Sequence, residues 1–242
     1  MATMTSPIGR PVPYRDPVDP RLRAAVDASL QWYDDVFAVH GIPTARGDGL
    51  WCARAEPPRW HSAAKTLEPR VPAHHALSAV EPFEHCSVAD SFGTLDLSHA
   101  GFAVLFEAAW VHHEPPAPTG GLPAGWSVVT RADELDEWNV RHETTGVLLP
   151  EMLAHPRFTF LAHRAGGLLD GGAVLHDVRG EAVGLSNGWA LPGTTLDVAA
   201  VIACAGTVHS GRAIVDYARG EELDALVEAG FSRLGPQVVW VR

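Results

Sequence analysis

Near its end the sequence reads Leu223-Asp224, Ala229-Gly230-Phe231, Leu234 and Trp240-Val241, and this phrase occurs twice. The earlier copy reads Leu95-Asp96, Ala100-Gly101-Phe102, Leu105 and Trp110-Val111, with spacings that agree to within one residue. The echo continues upstream. Val88-Ala89-Asp90-Ser91-Phe92 precedes the first copy and Ile214-Val215-Asp216-Tyr217 the second. A repeated order of residue types sets architecture before any other signal does. Each copy reads as strand, helix, strand, with the glycine of Ala-Gly-Phe ending the helix in the left-handed conformation.

Working outward, the repeat divides the chain into a leader (1–19), a first half (20–113), a linker (114–124) and a second half (125–242). The linker, Glu114-Pro-Pro-Ala-Pro-Thr-Gly-Gly-Leu-Pro-Ala, combines proline stiffness with glycine turns. The leader is rich in Pro and Arg and lacks the apolar core of a signal peptide, so the reading is cytoplasmic. No apolar run reaches the ~18 residues of a membrane span. With a net charge of −11 and no basic stripe, the chain offers no groove for nucleic acid. The partner expected is a small-molecule substrate, for which a cation would suit the field, and a homodimer is left open. Cys52, Cys86 and Cys204 are widely spaced, which argues against a disulfide framework or structural zinc and for buried thiols.

Periodicity predicts a helix over Pro20–Val39, a strand within 49–55, and a short helix over 72–80. The first repeat copy then fills 85–112. In the second half the order is strand (126–130), helix, helical turn (150–154), three strands (158–162, 173–178, 182–191), helix (196–205), strand (212–218), helix (221–229) and strand (237–242). Thr130-x-x-Asp133 predicts a capping box for the first of these helices, ending near Gly146. Gly171-Gly172 and Arg179-Gly180 predict turns. Helices packed on one sheet of this order give an α/β (α+β) class.

That order, with Ala229-Gly230-Phe231 between a helix and the closing strand, resembles the GCN5-related N-acetyltransferase (GNAT) superfamily over residues 125–242. Through the repeat it resembles the family again, more weakly, over 20–113. The resemblance implies two GNAT-like halves, a mixed and mostly antiparallel sheet flanked by helices, and N-acylation of a small molecule from acetyl-CoA or another acyl-CoA. In the family a loop of the form Arg/Gln-x-x-Gly-x-Gly/Ala opens the helix after the fourth strand, and its N–H groups hold the pyrophosphate. Here that place reads Pro192-Gly-Thr-Thr-Leu-Asp-Val, without arginine and with Asp197 where phosphates would sit. Many members carry a tyrosine acid four residues before the glycine of Gly-Phe; Leu226 and Leu97 stand there instead. Two alternatives therefore stand beside acyl transfer: other acid–base chemistry on a metabolite by a fold that has lost CoA, and a non-catalytic binding or dimerisation module.

Leu185-Ser186-Asn187-Gly188-Trp189 is the strongest local candidate for a site. Asn and Gly disfavour a strand interior, so they predict a bulge or a close backbone approach. The catalytic candidates are Ser186, Asn187, His209 as a base, and His142 on the helix that borders the acceptor site in the family. The donor-binding candidates are Leu185, Gly188, Gly211 and Arg212, the last two from the anion-suited run Val208-His-Ser-Gly-Arg212. Trp110 and Trp189 are candidates to line a pocket. His74-His75 and His112-His113 are adjacent pairs that diverge on any regular element, and no metal is expected. Ser62-x-x-Lys65 matches an acylating serine–lysine pair but lacks its companion motifs.

Overall fold

The computed structural model describes residues 18–180 and 182–242; all of the leader before residue 18 lies outside the described residues. The predicted first helix is present as α1 (Pro20–Val39), capped by Asp19, whose carboxylate accepts from the Arg21 N–H at 2.8 Å. The chain continues through β1 (Thr44–Gly47), β2 (Leu50–Ala53), β3 (Ala64–Thr66), α2 (Ala73–Val80), β4 (Ser87–Asp90) and β5 (Ala103–His113). Then come β6 (Trp126–Val128), α3 (Ala132–His142), β7 (Phe158–Ala165), β8 (Leu168–Asp177), β9 (Ala182–Ala190), α4 (Val198–Val208), β10 (Ala213–Ala218), α5 (Gly220–Glu228) and β11 (Ser232–Val241).

All eleven strands form one sheet in the order β1-β2-β3-β4-β11-β5-β10-β9-β8-β7-β6. Its pairings are antiparallel except for β3 with β4 and β9 with β10. The two repeat copies meet at the centre. β11 pairs with β5 over its length, β11 also pairs with β4, and β5 pairs with β10. Each copy's last strand thus lies against the other copy's penultimate strand, and the repeated tryptophan positions fall on these exchanged strands. Alternation sends neighbouring residues to opposite faces. Trp110 and Val215 pack with α1, while Val111 and Ile214 pack with α4 and α5.

The first copy lacks the predicted helix and has a single 3-10 turn, Ser98–Ala100. Phe102 follows Asp90 by twelve residues, whereas Phe231 follows Asp216 by fifteen, so one helical turn of chain is missing. The Asp96 carboxylate also turns back to the Ser98 N–H at 3.0 Å. The Thr130 capping box does not form. Arg131 occupies the cap position, and α3 ends at Glu143 in the left-handed conformation rather than at Gly146. The 114–124 segment is docked on α4: a Cβ on Gly206 would lie 2.9 Å from the Ala117 carbonyl, and Thr207 Oγ1 donates to Gly121 at 3.1 Å.

Gly171-Gly172 is not a turn but lies inside β8; the turn is at Gly166-Gly167. A Cβ on Gly172 would sit 2.3 Å from the Trp138 indole nitrogen and 2.7 Å from the Leu161 carbonyl, to which that indole N–H donates at 3.0 Å. The glycine makes room for Trp138 and Trp189 to cross at the sheet surface. Gly172→Ala is expected to cost roughly 2 kcal/mol through overpacking, read as a lowered midpoint of urea unfolding with an unchanged slope.

Candidate active site

The parallel pair β9 and β10 is in register only from Ala182↔Ala213 to Val215↔Gly184. Beyond that point β9 follows β8, β10 follows β5, and the two strands splay. A cavity of about 260 Å³ fills the opening beneath α1. Ala28, Trp32 and Tyr33 of α1 roof it, Gly184–Gly188 and Val215–Tyr217 form its walls, and Glu222 from the first turn of α5 closes one end.

On β9 the predicted irregularity is a bulge. Val174 pairs with Ser186 and Gly172 with Trp189, which leaves Asn187 and Gly188 opposite one residue of β8. Asn187 adopts φ 52°, the left-handed region that a non-glycine residue seldom occupies outside functional or turn positions. The bulge cancels the alternation of a regular strand, so Asn187 Nδ2 donates to Ser186 Oγ at 3.0 Å and both side chains line the cavity. His142 lies beside this pair. Its ring stacks on Trp189, burial lowers its pKa, and the Asn187 side chain opposes that shift by hydrogen bonding to it.

Of the eight residues singled out in the sequence, Leu185, Ser186, Asn187 and Gly188 line the cavity and His142 adjoins it. His209, Gly211 and Arg212 do not. They lie where β10 begins, at the opposite end of the parallel pair from the splay. Arg212 is committed to Asp177 and to the carbonyls of Val178 and Ala182, where it ties the β8–β9 turn to the start of β10. His209 caps the end of α4, with its pKa lowered by burial. Ser62 and Lys65 form no pair either, because Ser62 Oγ accepts from Ser87 Oγ at 2.9 Å and Lys65 is wholly enclosed.

Sequence reasoning missed the acidic centre of the cavity. Asp216 and Glu222 face it together. Burial, and then the nearness of Glu222, hold the Asp216 carboxyl well above the usual carboxylate range; burial raises Glu222 too, against the pull of Arg219. By accessible surface Asp216 is half-buried and Glu222 exposed, and neighbouring carboxyls resist joint ionisation. Tyr217, raised by burial and then by Tyr33 and the two acids, stays a neutral phenol. His61 is no base: its Nδ1–H donates to the Arg59 carbonyl at 3.1 Å, its Nε2 accepts from the Trp32 indole at 3.1 Å, and burial pushes its pKa down to about 4. His176 is fixed by Asp35, whose carboxylate accepts from Nε2 at 2.9 Å and from Arg157 at 2.7 Å. Among the described residues no lysine or arginine lines the cavity. One signal for the acids was in the repeat, which places Asp90 and Asp216 at the same strand end.

Acyl-CoA is the group that the family resemblance implies. Its pyrophosphate would need free N–H groups at the start of α4, but Asp197 caps that helix and accepts from the Ala200 N–H at 3.0 Å. The turn before it is closed by Thr194, which donates to the Leu191 carbonyl through both its N–H and its hydroxyl. No lysine or arginine occurs from Leu191 to Val208. A carboxylate at the helix N-terminus stabilises the helix and repels an anion, so these residues do not fit a pyrophosphate.

No family model matches the chain, and no curated protein matches it. Solved structures do. A GCN5-related N-acetyltransferase from Kribbella flavida superposes with a TM-score of 0.64 at 14% identity, over 92% of this chain and 95% of that one. A GCN5-related N-acetyltransferase-like protein from Streptococcus suis gives a TM-score of 0.55 at 12% identity, over 92% and 98%. A GCN5-related N-acetyltransferase from Sphaerobacter thermophilus gives 0.51 at 12%, over 92% and 91%. At these identities the likeness establishes architecture, and the chain has the fold of the GCN5-related N-acetyltransferases.

Proposed function

We propose that this protein is a small-molecule enzyme of the GNAT fold that seats an amine in the cavity between α1 and the splayed strands β9 and β10, and removes a proton from it there. The observation that carries this reading is the pair of neighbouring acids, Asp216 and Glu222, in a cavity that no lysine or arginine lines among the described residues. An ionised carboxyl of this pair attracts an ammonium group. The pair then takes the ammonium proton and leaves a neutral, nucleophilic nitrogen. Trp32, Tyr33, Trp60 and Trp110 supply aromatic walls that favour a cation over a neutral isostere. Ser186 and Asn187 offer a hydroxyl and an amide to orient the ligand, and Asn187 and Gly188 have no register partner on β10. N-acylation is the chemistry that the fold favours for such a nitrogen.

A second reading has its own observation. The Asp197 cap on α4 favours acid–base chemistry on the amine without a CoA donor. Thermal-shift titration separates these outcomes. Short primary alkylamines at millimolar concentration are expected to raise the melting temperature, and the corresponding alcohols are not. Equal shifts from amine and alcohol, or none from either, would remove the amine reading. Calorimetric binding of acetyl-CoA in the micromolar range would remove the reading without CoA.

A further inference from the structure

A second pocket, of about 350 Å³, adjoins the first and has the opposite character. Tyr33, Trp60, His61 and Tyr217 belong to the walls of both. In a chain with net charge −11, the second pocket collects Arg59, Arg242 and His85 against a single acid, Glu56, among the described residues. Among the described residues the Arg59 guanidinium has neither an ion pair nor a hydrogen bond and stacks on the Trp60 ring at 4.2 Å. Arg242 donates to the Phe83 carbonyl at 3.0 Å and lies 5.0 Å from the Phe102 ring centroid, with no carboxylate partner among the described residues. Leu105, 55% exposed, Phe106 and Val239 form an apolar wall.

Gln237 makes this more than a basic rim. It lines the pocket, is 2% exposed, and its side-chain oxygen has no hydrogen-bond partner among the described residues. A buried amide without a partner costs stability and is seldom retained unless something else completes it. Trp60, which divides the two pockets, adopts φ 71°, a strained conformation for a bulky residue.

We infer that this second pocket binds a small organic anion, a carboxylate or phosphate head on an apolar body, with the head at Arg59 and Arg242, the body on Leu105 and Phe106, and a hydrogen-bond donor of the ligand at the Gln237 oxygen. An occupant there is one side chain away from the amine cavity, the placement that a co-substrate requires. The inference stands whether or not the amine reading does.

The test is calorimetric titration of the full chain with octanoate, octyl phosphate and neutral octanamide. Either anion, or both, is expected to bind at least tenfold more tightly than octanamide, and the tighter of the two identifies the head group. In the Arg59→Ala/Arg242→Ala double variant, which alters exposed side chains, that preference is expected to vanish. Gln237→Met is expected to raise the melting temperature, because it removes the unpartnered amide oxygen. Asp216→Asn is expected to leave anion affinity unchanged, which separates this site from the amine cavity. Equal affinity for all three probes, no binding at millimolar concentration, or unchanged affinity in the double variant would overturn the inference.

Discussion

Asp216→Asn is expected to weaken binding of a primary alkylammonium probe by about 100-fold or more, the usual scale when one member of a desolvated charge pair is lost, and to make the folded protein more stable. Both effects have one cause. The carboxyl of Asp216 is held above its ordinary range by burial and by Glu222, so ionising it inside the protein costs more than ionising it in the unfolded chain. Between the ordinary carboxylate pKa and the raised folded value, the folded state binds the proton and the unfolded state does not. Stability therefore falls as pH rises through that window and remains reduced above it. Asn keeps the shape and removes the titration. The variant should melt higher than the parent at pH 8, and the difference should shrink toward pH 4. Glu222→Gln should behave alike, and the double variant should lose less than the sum of the two, because either substitution already relieves the pair. Calorimetry at two pH values checks all of this. Parental affinity in Asp216→Asn would show that the cavity recognises its ligand without the acid. Loss of stability at pH 8 would show that the carboxylate has an undetected partner.

The sequence disclosed the parts of this site that are local. Proline at the start and glycine after the end delimit α1, and its apolar spacing is regular enough to be read directly. The bulge was legible because Asn187-Gly188 is poor strand chemistry whatever the tertiary context. The exchange of last strands was not legible, since nothing in either copy of the repeat states which neighbour it pairs with. The acidic pair was overlooked for a related reason. Asp216 looks like a strand-end acid and Glu222 like an ordinary first-turn acid of α5; only the splay of β9 and β10 brings them to one cavity. His61 and Trp60 enter that space from a loop more than a hundred residues earlier in the chain. Gly171-Gly172 misled because a glycine pair is the usual mark of a turn, and here it answers instead to two tryptophans packed over a strand. By residue type His209 suits a base and Arg212 an anion site, but nothing local states that the guanidinium is consumed by backbone carbonyls.

Lys65 offers the other large effect. It lies on β3 at the end of the first half's parallel pair, opposite Ala89, as Gly184 lies opposite Val215 in the second half. There the second half opens a cavity, while the first half is stitched shut. Thr66 donates to Asp90 at 3.1 Å, Ser91 donates through its N–H and hydroxyl to Thr66, and Trp110 donates to the Ser91 carbonyl at 2.8 Å. Lys65 is sealed behind this seam, fully buried, its ammonium without a hydrogen-bond partner and 5.3 and 5.1 Å from the ring centroids of Tyr33 and Trp110. Asp90 cannot relieve it fully, because its carboxylate already accepts from Thr66 and from the N–H groups of Phe92 and Leu95.

Burial accordingly pushes the Lys65 pKa from 10.5 down to about 7. Below pH 7 both folded and unfolded chains carry the proton, and the full cost of the buried charge is present. As pH rises from 7 toward 10.5 the folded amine is neutral while the unfolded one is still charged, so the cost shrinks and stability rises. At about 1.4 kcal/mol per pKa unit the full cost is on the order of 5 kcal/mol. Lys65→Met fills nearly the same volume and sets a thioether against the same two rings. It is expected to stabilise the protein by about 3 kcal/mol at pH 6, which for a chain of this size is a rise of roughly 6–12 °C in melting temperature. The advantage should fade as the pH approaches 10. Thermal unfolding of parent and variant at pH 6, 8 and 10 measures it. An advantage that stays constant with pH would mean that Lys65 is not the titrating group, and a variant less stable at pH 6 would mean that the ammonium is held by contacts stronger than the two rings.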